Sequence, residues 1–373
     1  GIPMKSFFRT HATLTALVVL TAALSFLSEA FFTPRNLSNI TLQVTIIGII
    51  AVGMTLVILL GGIDLSVGSI VGLASIVVTL FMQSGWNVWL AILATILAVG
   101  VGIGVWNGVW IAHYRIPAFI ITLGMMTIAR GAALVLSDGS SIPVTDPVFP
   151  LLGGEYIAPA SSAVILGLAL ALFLFATLRA ASRQRSCGVS VGARDIALRA
   201  SFGVAILALA AYVFIGYRGI PYPVAFLIAL ILAGAFMLSN TRLGRRIYAT
   251  GGNREAARLS GINVFRVELT VYVIVTTLAA VSGILLTSRL NGANPNLGNM
   301  FELDAIASVI IGGTSPMGGV GTIGGTVVGS VLIGVMNNGM SLLGVSSFYQ
   351  LIIKGFIIIV AVWFDVMNKR RKA

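Results

Sequence analysis

Residues 40–60 have the sequence ITLQVTIIGIIAVGMTLVILL, and residues 61–69 continue with GGIDLSVGS. The first stretch contains no charged residue and is long enough to cross about 30 Å of hydrocarbon as an α-helix. It is continuously apolar and does not alternate with a period of two, which excludes a transmembrane β-barrel strand. The second stretch ends the apolar run with two glycines and a polar group. Together they predict a membrane-spanning helix followed by a break.

Similar apolar runs recur along the whole chain. Of its 373 residues, 58% are hydrophobic and 9% are charged, and the mean hydropathy is +1.04, whereas a soluble domain carries about 25% charged residues. We therefore predict an all-α, polytopic helical membrane protein that forms a single transmembrane domain over residues 1–373. The candidate spans are residues 12–28, 40–60, 67–83, 88–112, 117–136, 161–178, 201–217, 223–239, 267–286, 323–343 and 348–366.

The distribution of charge predicts the orientation of these spans. The net charge is +12, and most basic residues fall on one predicted side, in residues 179–199, in residues 242–266 and near both termini. The other side holds Arg35, Arg218 and Arg289 together with acidic residues that include Glu302 and Asp304. This asymmetry follows the positive-inside rule and places both termini in the cytoplasm. The basic excess is therefore a topology signal, and we expect no nucleic-acid partner.

Two glycine-rich segments are the expected interruptions of the apolar pattern. They are residues 61–69 and residues 312–325, GGTSPMGGVGTIGG. Because both termini are predicted inside, the number of crossings must be even, and we expect about ten. Paired, glycine-interrupted segments in a transporter point to the substrate path, although both breaks also fit tight turns between spans. Glycine pairs four residues apart predict close helix packing within the chain. These pairs are Gly68 and Gly72, Gly104 and Gly108, and Gly325 and Gly329.

Several classes of chemistry have no support in the sequence. No P-loop motif is present, so any ATP must be handled by another protein. The letters GVGTIG at residues 319–324 match a dinucleotide-binding pattern, but no strand precedes them and no acidic residue follows at the required distance. The single cysteine, Cys187, excludes an intrachain disulfide, and the distant His11 and His113 predict no metal site. We expect no catalytic residues and no cofactor.

Polar residues within the apolar runs are candidates for the substrate path. Asp64 has two open roles: contact with solute, or capping of a helix that begins at Leu65 through acceptance of backbone N–H groups. Lys354 either snorkels to an interface or pairs with a carboxylate, and the role of Arg130 stays open. The candidate path residues are Asp64, Ser66, Asn107, Asn337 and Asn338. For the asparagines, hydrogen bonding between helices is the alternative.

The stretch GGNREAARLSG, residues 251–261, is a polar island among the apolar runs. Asn253 is suited to cap a helix start, Glu255 falls in the first turn where the helix dipole favours an anion, and Gly261 is suited to end the helix. Ala256 and Ala257 are expected to present a small, flat face. This pattern predicts a short cytoplasmic helix that docks into a groove on a partner, with an ordinary loop as the alternative.

Four segments carry a family resemblance. EAARLSG at residues 255–261 resembles the cytoplasmic EAA loop of bacterial ABC importer permeases, and residues 244–264 as a whole are similar to its form in the ribose/xylose/galactose class. GGIDLSVGS, ELDAIA at residues 302–307 and GGTSPMGGVGTIGG match the same class. The similarity runs from about residue 36 to the C-terminus. The Arg-rich residues 179–199 and the ending FDVMNKRRK make D-xylose the first expected sugar, although NLGNMFELDAIA is equally similar to galactose permeases.

The resemblance implies a permease in a bacterial inner membrane that is not itself an enzyme. It implies ATPase subunits below, a periplasmic sugar-binding protein above, and a second permease copy, most simply in a homodimer. Residues 240–266 would form the cytoplasmic coupling loop. The residues expected to couple to the ATPase are Asn253, Arg254, Glu255, Ala256, Ala257, Arg258 and Gly261.

Two other classes of function stay open on the sequence alone. A secondary transporter driven by an ion gradient would work alone and would use intramembrane carboxylates such as Asp64. A membrane enzyme is the third class, but the chain lacks a catalytic constellation. With few fixed charges in the spans, a neutral solute is the expected cargo.

Overall fold

The computed structural model describes residues 12–186 and 192–370, and Cys187 and His11 lie outside them. The predicted all-α architecture is confirmed. The helices are α1 (Ala12–Leu27), α2 (Pro34–Leu59), α3 (Val67–Gln83), α4 (Val88–Ala112, with a π-helical stretch at Ile96–Val101), α5 (Ala118–Ser137), α6 (Phe149–Gly154), α7 (Pro159–Ser186), α8 (Ala193–Ile215), α9 (Tyr222–Asn240), α10 (Arg242–Gly252), α11 (Arg254–Leu259), α12 (Val264–Leu290), α13 (Phe301–Ile311), α14 (Ile323–Leu342) and α15 (Ser347–Arg370).

Eight of the described helices are long and apolar enough to cross a membrane, and three shorter apolar helices accompany them. The protein is therefore a polytopic helical membrane protein, whereas the number of about ten crossings stays a prediction. Several helices begin or end outside the apolar runs. For example, α2 begins at Pro34 and not at residue 40 because the Thr33 side chain accepts the Asn36 amide and proline occupies the first turn.

Helices α2, α3 and α12 form the centre of the molecule. Most of α2 is buried, and α12 packs against α2, α3 and α4. In contrast, α7 buries almost none of its apolar side chains within the protein. An apolar helix with an uncovered surface is what a lipid-facing position requires. The buried core and the uncovered periphery are thus built from equally apolar helices.

Small residues let the central helices approach closely. A β-carbon on Gly53 of α2 would lie 2.9 Å from the Val275 α-carbon of α12. The three predicted glycine pairs all face other parts of the same chain, such as Gly104 against Val273 and Gly329 against Ser308. The prediction that these pairs serve packing within the chain is confirmed.

Two short antiparallel strand pairs connect the helix ends. Strand β1 (Ile142–Pro143) pairs with β4 (Gly292–Ala293), and β2 (Tyr156–Ile157) pairs with β3 (Ile220–Pro221). Because β2 precedes α7 and β3 precedes α9, the second pair ties together the ends of the peripheral helices. Each pair joins two loops and stays two-stranded.

Candidate functional site

The segment predicted as a coupling loop, residues 240–266, contains two helices, α10 and α11. The Asn253 side chain accepts the Ala256 amide at 2.9 Å, which caps α11 at its N-terminus. Gly261 follows the helix with φ of 82°, a conformation that glycine adopts without strain. The predicted cap, the acidic first turn at Glu255 and the glycine stop are therefore confirmed.

The two alanines of α11 do not share a face, contrary to the prediction. Ala257 is only 4% exposed and faces the protein, whereas Ala256 is exposed. Consecutive helical residues are about 100° apart, so two adjacent side chains cannot both point into the same groove. The exposed side instead carries Glu255, Ala256 and Leu259, which we call the α11 outer face. Leu259 is 76% exposed. The sequence pattern did not identify Leu259, because what distinguishes this leucine is its exposure, and exposure is known only from the fold.

Ion pairs orient α11. The Arg254 guanidinium donates two hydrogen bonds to Glu268 of α12, with Nε to Oε1 at 2.7 Å, so α11 is fastened to a long central helix. This hydrogen bond raises the pKa of Arg254 above its ordinary value. On the exposed side, Arg258 pairs with Glu255 at 2.5 Å, and that hydrogen bond lowers the pKa of Glu255. Both shifts favour the charged forms of Arg254 and Glu255.

The end of α10 contacts the last residue of α2, just before the first glycine-rich break, and the second break itself. The Gly319 amide donates to the Leu59 carbonyl at 2.8 Å. A β-carbon on Gly251 would overlap that same carbonyl and lie 2.9 Å from the Gly319 nitrogen. The backbones of α2, α10 and the 312–322 segment thus meet at Leu59, Gly251 and Gly319, which we call the glycine junction.

A side chain adds to the glycine junction. The Tyr248 hydroxyl of α10 donates to the Gly321 carbonyl at 2.7 Å. Burial raises the pKa of Tyr248, so the phenol keeps the proton that this hydrogen bond needs. The structure therefore brings both predicted interruptions together beside the segment predicted to couple to the ATPase.

Three of the predicted path residues form one buried group. The Asp64 Oδ1 atom accepts the Ser66 amide at 2.8 Å and the Ser66 hydroxyl at 2.6 Å, and Asn107 donates to the same hydroxyl at 3.3 Å. Asp64 accepts a backbone N–H as predicted. However, residues 62–66 are non-helical, and α3 begins at Val67 and not at Leu65. The Oδ2 atom of Asp64 and the Oδ1 atom of Asn107 have no hydrogen-bond partner among the described residues.

The other two predicted path residues lie in separate contacts. Asn338 exchanges reciprocal side-chain hydrogen bonds of 3.0 Å with Asn36 of α2. Asn337 donates to Asp304 at 3.4 Å, and the Lys354 ammonium binds the same carboxylate at 2.9 Å. Pairing, one of the two predicted roles of Lys354, is thus the observed one. Asp304 is not an exposed charge of the outer side, because α13 buries its first turn and packs against α15.

Arg130, whose role the sequence left open, binds backbone carbonyl groups. Its guanidinium donates to the carbonyl oxygens of Gly68, Pro295 and Leu297. It therefore connects α5 to the start of α3 and to the segment that precedes α13. Two of these carbonyl groups lie in a loop, outside regular helical hydrogen bonding, and a guanidinium supplies the donors that they need.

The structure also contains a polar cavity of about 530 Å³ that the sequence pattern did not predict. Its walls include Arg35, Arg218 and Arg289, the three basic residues that the charge pattern placed alone on the outer side. The remaining polar walls come from asparagine, threonine and tyrosine side chains: Thr33, Asn36, Asn39, Tyr156 and Tyr217. The three arginines on the predicted outer side were the sequence feature that could have indicated this cavity. They are far apart in sequence, and only the fold brings them together. We call this space the arginine cavity.

The comparisons with known proteins identify the family. A family model described as "Branched-chain amino acid transport system / permease component" matches residues 36–362. The chain belongs to this permease family. The xylose transport system permease protein XylH of Escherichia coli (strain K12) is 41% identical over 345 residues, covering 92% of this chain and 87% of the relative. No solved structure matches significantly.

Further relatives cover the permease almost completely. XylH of Haemophilus influenzae is 38% identical over 367 residues, with 97% of each chain covered. The ribose import permease protein RbsC of Escherichia coli (strain K12) is 39% identical over 367 residues, covering 98% of this chain and 96% of the relative. The chain is therefore a transmembrane transport permease. Among its described residues, no group of three or more His, Cys, Asp or Glu side chains is placed to hold a metal ion.

The contacts of Asp64 generate a first prediction. Asp64→Asn keeps a side-chain oxygen that can accept the Ser66 amide, so transport and folded yield should stay close to those of the parent. Asp64→Leu leaves two buried donors without an acceptor, which should lower the free energy of unfolding by about 1–3 kcal/mol. Size-exclusion chromatography after graded heating measures the folded fraction. A well-folded but inactive Asn variant would show that the charge itself is needed.

The glycine junction generates a second prediction with a matched control in the same helix. Gly251→Ala should displace the Leu59 carbonyl and weaken its hydrogen bond with Gly319, at a cost of about 1–3 kcal/mol. Gly252→Ala should be tolerated, because a β-carbon there meets no atom within 4 Å. Thermal unfolding of the two purified variants tests the difference. Equal stability of both would contradict the close backbone contact.

Proposed function

We propose that this permease is the membrane subunit of an ATP-driven importer of a neutral monosaccharide, with D-xylose as the first candidate. The observation that carries the proposal is the pair of near-full-length relatives, one named as a xylose permease and the other as a ribose permease. Few charged side chains lie in the spans, which suits a solute without charge. The resemblance carried by the Arg-rich residues 179–199 and by the ending FDVMNKRRK favours xylose over ribose.

In this proposal ATP hydrolysis takes place on a separate ATPase, and α11 is the coupling helix. The α11 outer face supports this role, because a groove on a soluble partner would cover the exposed Leu259 side chain. The Arg254–Glu268 ion pair would carry force from α11 to α12, which runs through the centre of the molecule. A short capped helix with a rigid anchor is suited to transmit movement of a partner.

The remaining partners follow from the same proposal. A periplasmic sugar-binding protein would deliver the solute at the face opposite α11, and a second copy of the permease would complete the path as a homodimer. Both termini and Cys187 would be cytoplasmic, with residues 240–266 on the same side. Of the predicted path residues, Asn337 would contribute through its contact with the Asp304–Lys354 pair, and Asn338 through its contact with Asn36.

The cargo is tested by uptake into vesicles that contain the permease, its ATPase and its sugar-binding protein. Labelled xylose should accumulate only with ATP, and unlabelled xylose should compete better than ribose or galactose. Stronger competition by ribose or galactose would change the sugar and keep the transport class. Preferred uptake of an amino acid, or uptake driven by an ion gradient without ATP, would contradict the proposal.

The coupling role is tested on the α11 outer face. Ala256→Trp and Leu259→Asp change exposed side chains, so the variants should fold, but sugar uptake should fall at least about tenfold because packed interfaces tolerate added volume or charge poorly. Ala257 is unsuitable for this test since it is buried. Ser239→Asp, at an exposed residue near the end of α9 and outside residues 240–266, is the control and should transport normally. Normal uptake by both α11 variants would exclude this face as the docking surface.

A further inference from the structure

Five polar side chains from the last three helices form one connected group. They are Asp304 of α13, Asn337 and Ser341 of α14, and Gln350 and Lys354 of α15. Gln350 donates to the Ser341 hydroxyl at 3.4 Å, and this hydroxyl donates to the Asn337 carbonyl at 3.0 Å. Asn337 and Lys354 both donate to the Oδ2 atom of Asp304, at 3.4 and 2.9 Å. We call these five residues the polar stripe.

The charged end of the polar stripe lies deep within an apolar helix. Lys354 is at the middle of the apolar stretch Ser347–Val360, about 10 Å from either end at 1.5 Å per residue. Its side chain is 16% exposed, and that of Asp304 is 5% exposed. An ammonium group that faces hydrocarbon is costly, so charged side chains at this depth face the protein interior or a water-filled space. The exposed part of Lys354 therefore marks a side of α15 that does not face lipid.

The polar stripe has hydrogen-bonding capacity to spare. An ammonium group has three donors, and within the described part of the chain Lys354 uses one of them, on Asp304. The Oδ1 atom of Asn337 is buried and accepts no hydrogen bond from the described residues. A hydroxyl group both accepts and donates, so a single hydroxyl can accept from Lys354 and donate to Asn337. The Asp304–Lys354 pair carries no net charge, which suits a neutral solute with several hydroxyl groups.

The remaining members extend the polar stripe along the helices. Ser341 follows Asn337 by four residues on α14, and Gln350 precedes Lys354 by four residues on α15, so each lies one helical turn away on the same face. Both positions are nearer to the loop that joins α14 to α15, and Ser341 is exposed. The polar stripe thus runs from an exposed hydroxyl at one end to a buried ion pair at the other.

We propose that the polar stripe lines the sugar path of the permease, with Lys354 and Asn337 in contact with the hydroxyl groups of the sugar. This inference rests on the proposed function, because it requires a neutral monosaccharide as cargo. The alternative is that the polar stripe only fastens α15 to α13 and α14. The two roles can be separated, because a buried ion pair that serves packing alone can be replaced by apolar side chains of similar volume with little loss of stability.

The first test measures ATP-dependent sugar uptake into vesicles that contain the permease, its ATPase and its sugar-binding protein. The double variant Asp304→Leu and Lys354→Met removes both charges and leaves neither one unpaired. Its thermal stability and its ATP hydrolysis should stay close to those of the parent, whereas uptake should fall at least about tenfold. Normal uptake would show that the pair serves packing and would overturn the proposal. A parallel loss of ATP hydrolysis would assign the pair to coupling and would also overturn it.

The matched control removes another buried polar contact of α14. The Thr55 and Thr326 hydroxyls lie 2.7 Å apart between α2 and α14, outside the polar stripe. The double variant Thr55→Val and Thr326→Val keeps the shape of both side chains and leaves no partner of this pair unsatisfied. It should transport sugar as the parent does. Loss of uptake in this control would show that any change in polarity next to α14 stops transport, and the proposal would fall.

The second test measures access of water to the polar stripe. In a Cys187→Ser background, a small membrane-impermeant thiol reagent should label Asn337→Cys at least about tenfold faster than Phe356→Cys. Phe356 is 65% exposed, but the reactive thiolate does not form in hydrocarbon. Equal or slower labelling of Asn337→Cys would overturn the proposal. Labelling requires no transport, so its result is independent of the proposed function, which fails instead if the parent shows no ATP-dependent sugar uptake.

Discussion

The requirement that backbone polar groups be satisfied without water shapes the entire molecule. In hydrocarbon an unpaired N–H or C=O group costs several kcal/mol, so a chain this apolar must form helices wherever lipid contacts it. Where the helices are interrupted, the protein itself must cover the exposed backbone. The break after α2 meets this requirement through Asp64, which accepts the Ser66 amide, and through Leu59, whose carbonyl accepts the Gly319 amide.

This constraint explains why the two breaks lie against other segments of the protein. The end of α2 and the 312–322 segment supply hydrogen-bond partners to each other, and α10 closes the junction with Gly251 and Tyr248. Residue 251 must be glycine because the Leu59 carbonyl group occupies the space that a β-carbon would need. Through the same contact, the end of α10 packs directly against the backbone at the end of α2. A displacement of α10 would therefore move the backbone at the end of α2 and in the 312–322 segment.

Helix α12 organises the two ends of the molecule. Close packing against α2, α3 and α4 makes it a rigid central element, and small side chains keep the distances between helices short. Its first turns hold α11 through Glu268, and its last turn places Arg289 in the arginine cavity. Helix α11 and the cavity are thus joined by one continuous helix, so a tilt of α12 would change both.

The sequence alone predicts the all-helical fold, the position of nearly every apolar helix, the two interruptions and the caps of α11. These follow from local rules: apolar length, Gly-Gly breaks, and the hydrogen-bonding capacity of Asn253 for its own helix. The packing of the helices establishes the rest: Ala257 is buried and Leu259 exposed, Asp304 pairs with Lys354, and Arg35, Arg218 and Arg289 share one cavity. Those facts depend on which helix faces cover one another, and no local pattern specifies that when nearly every face is apolar.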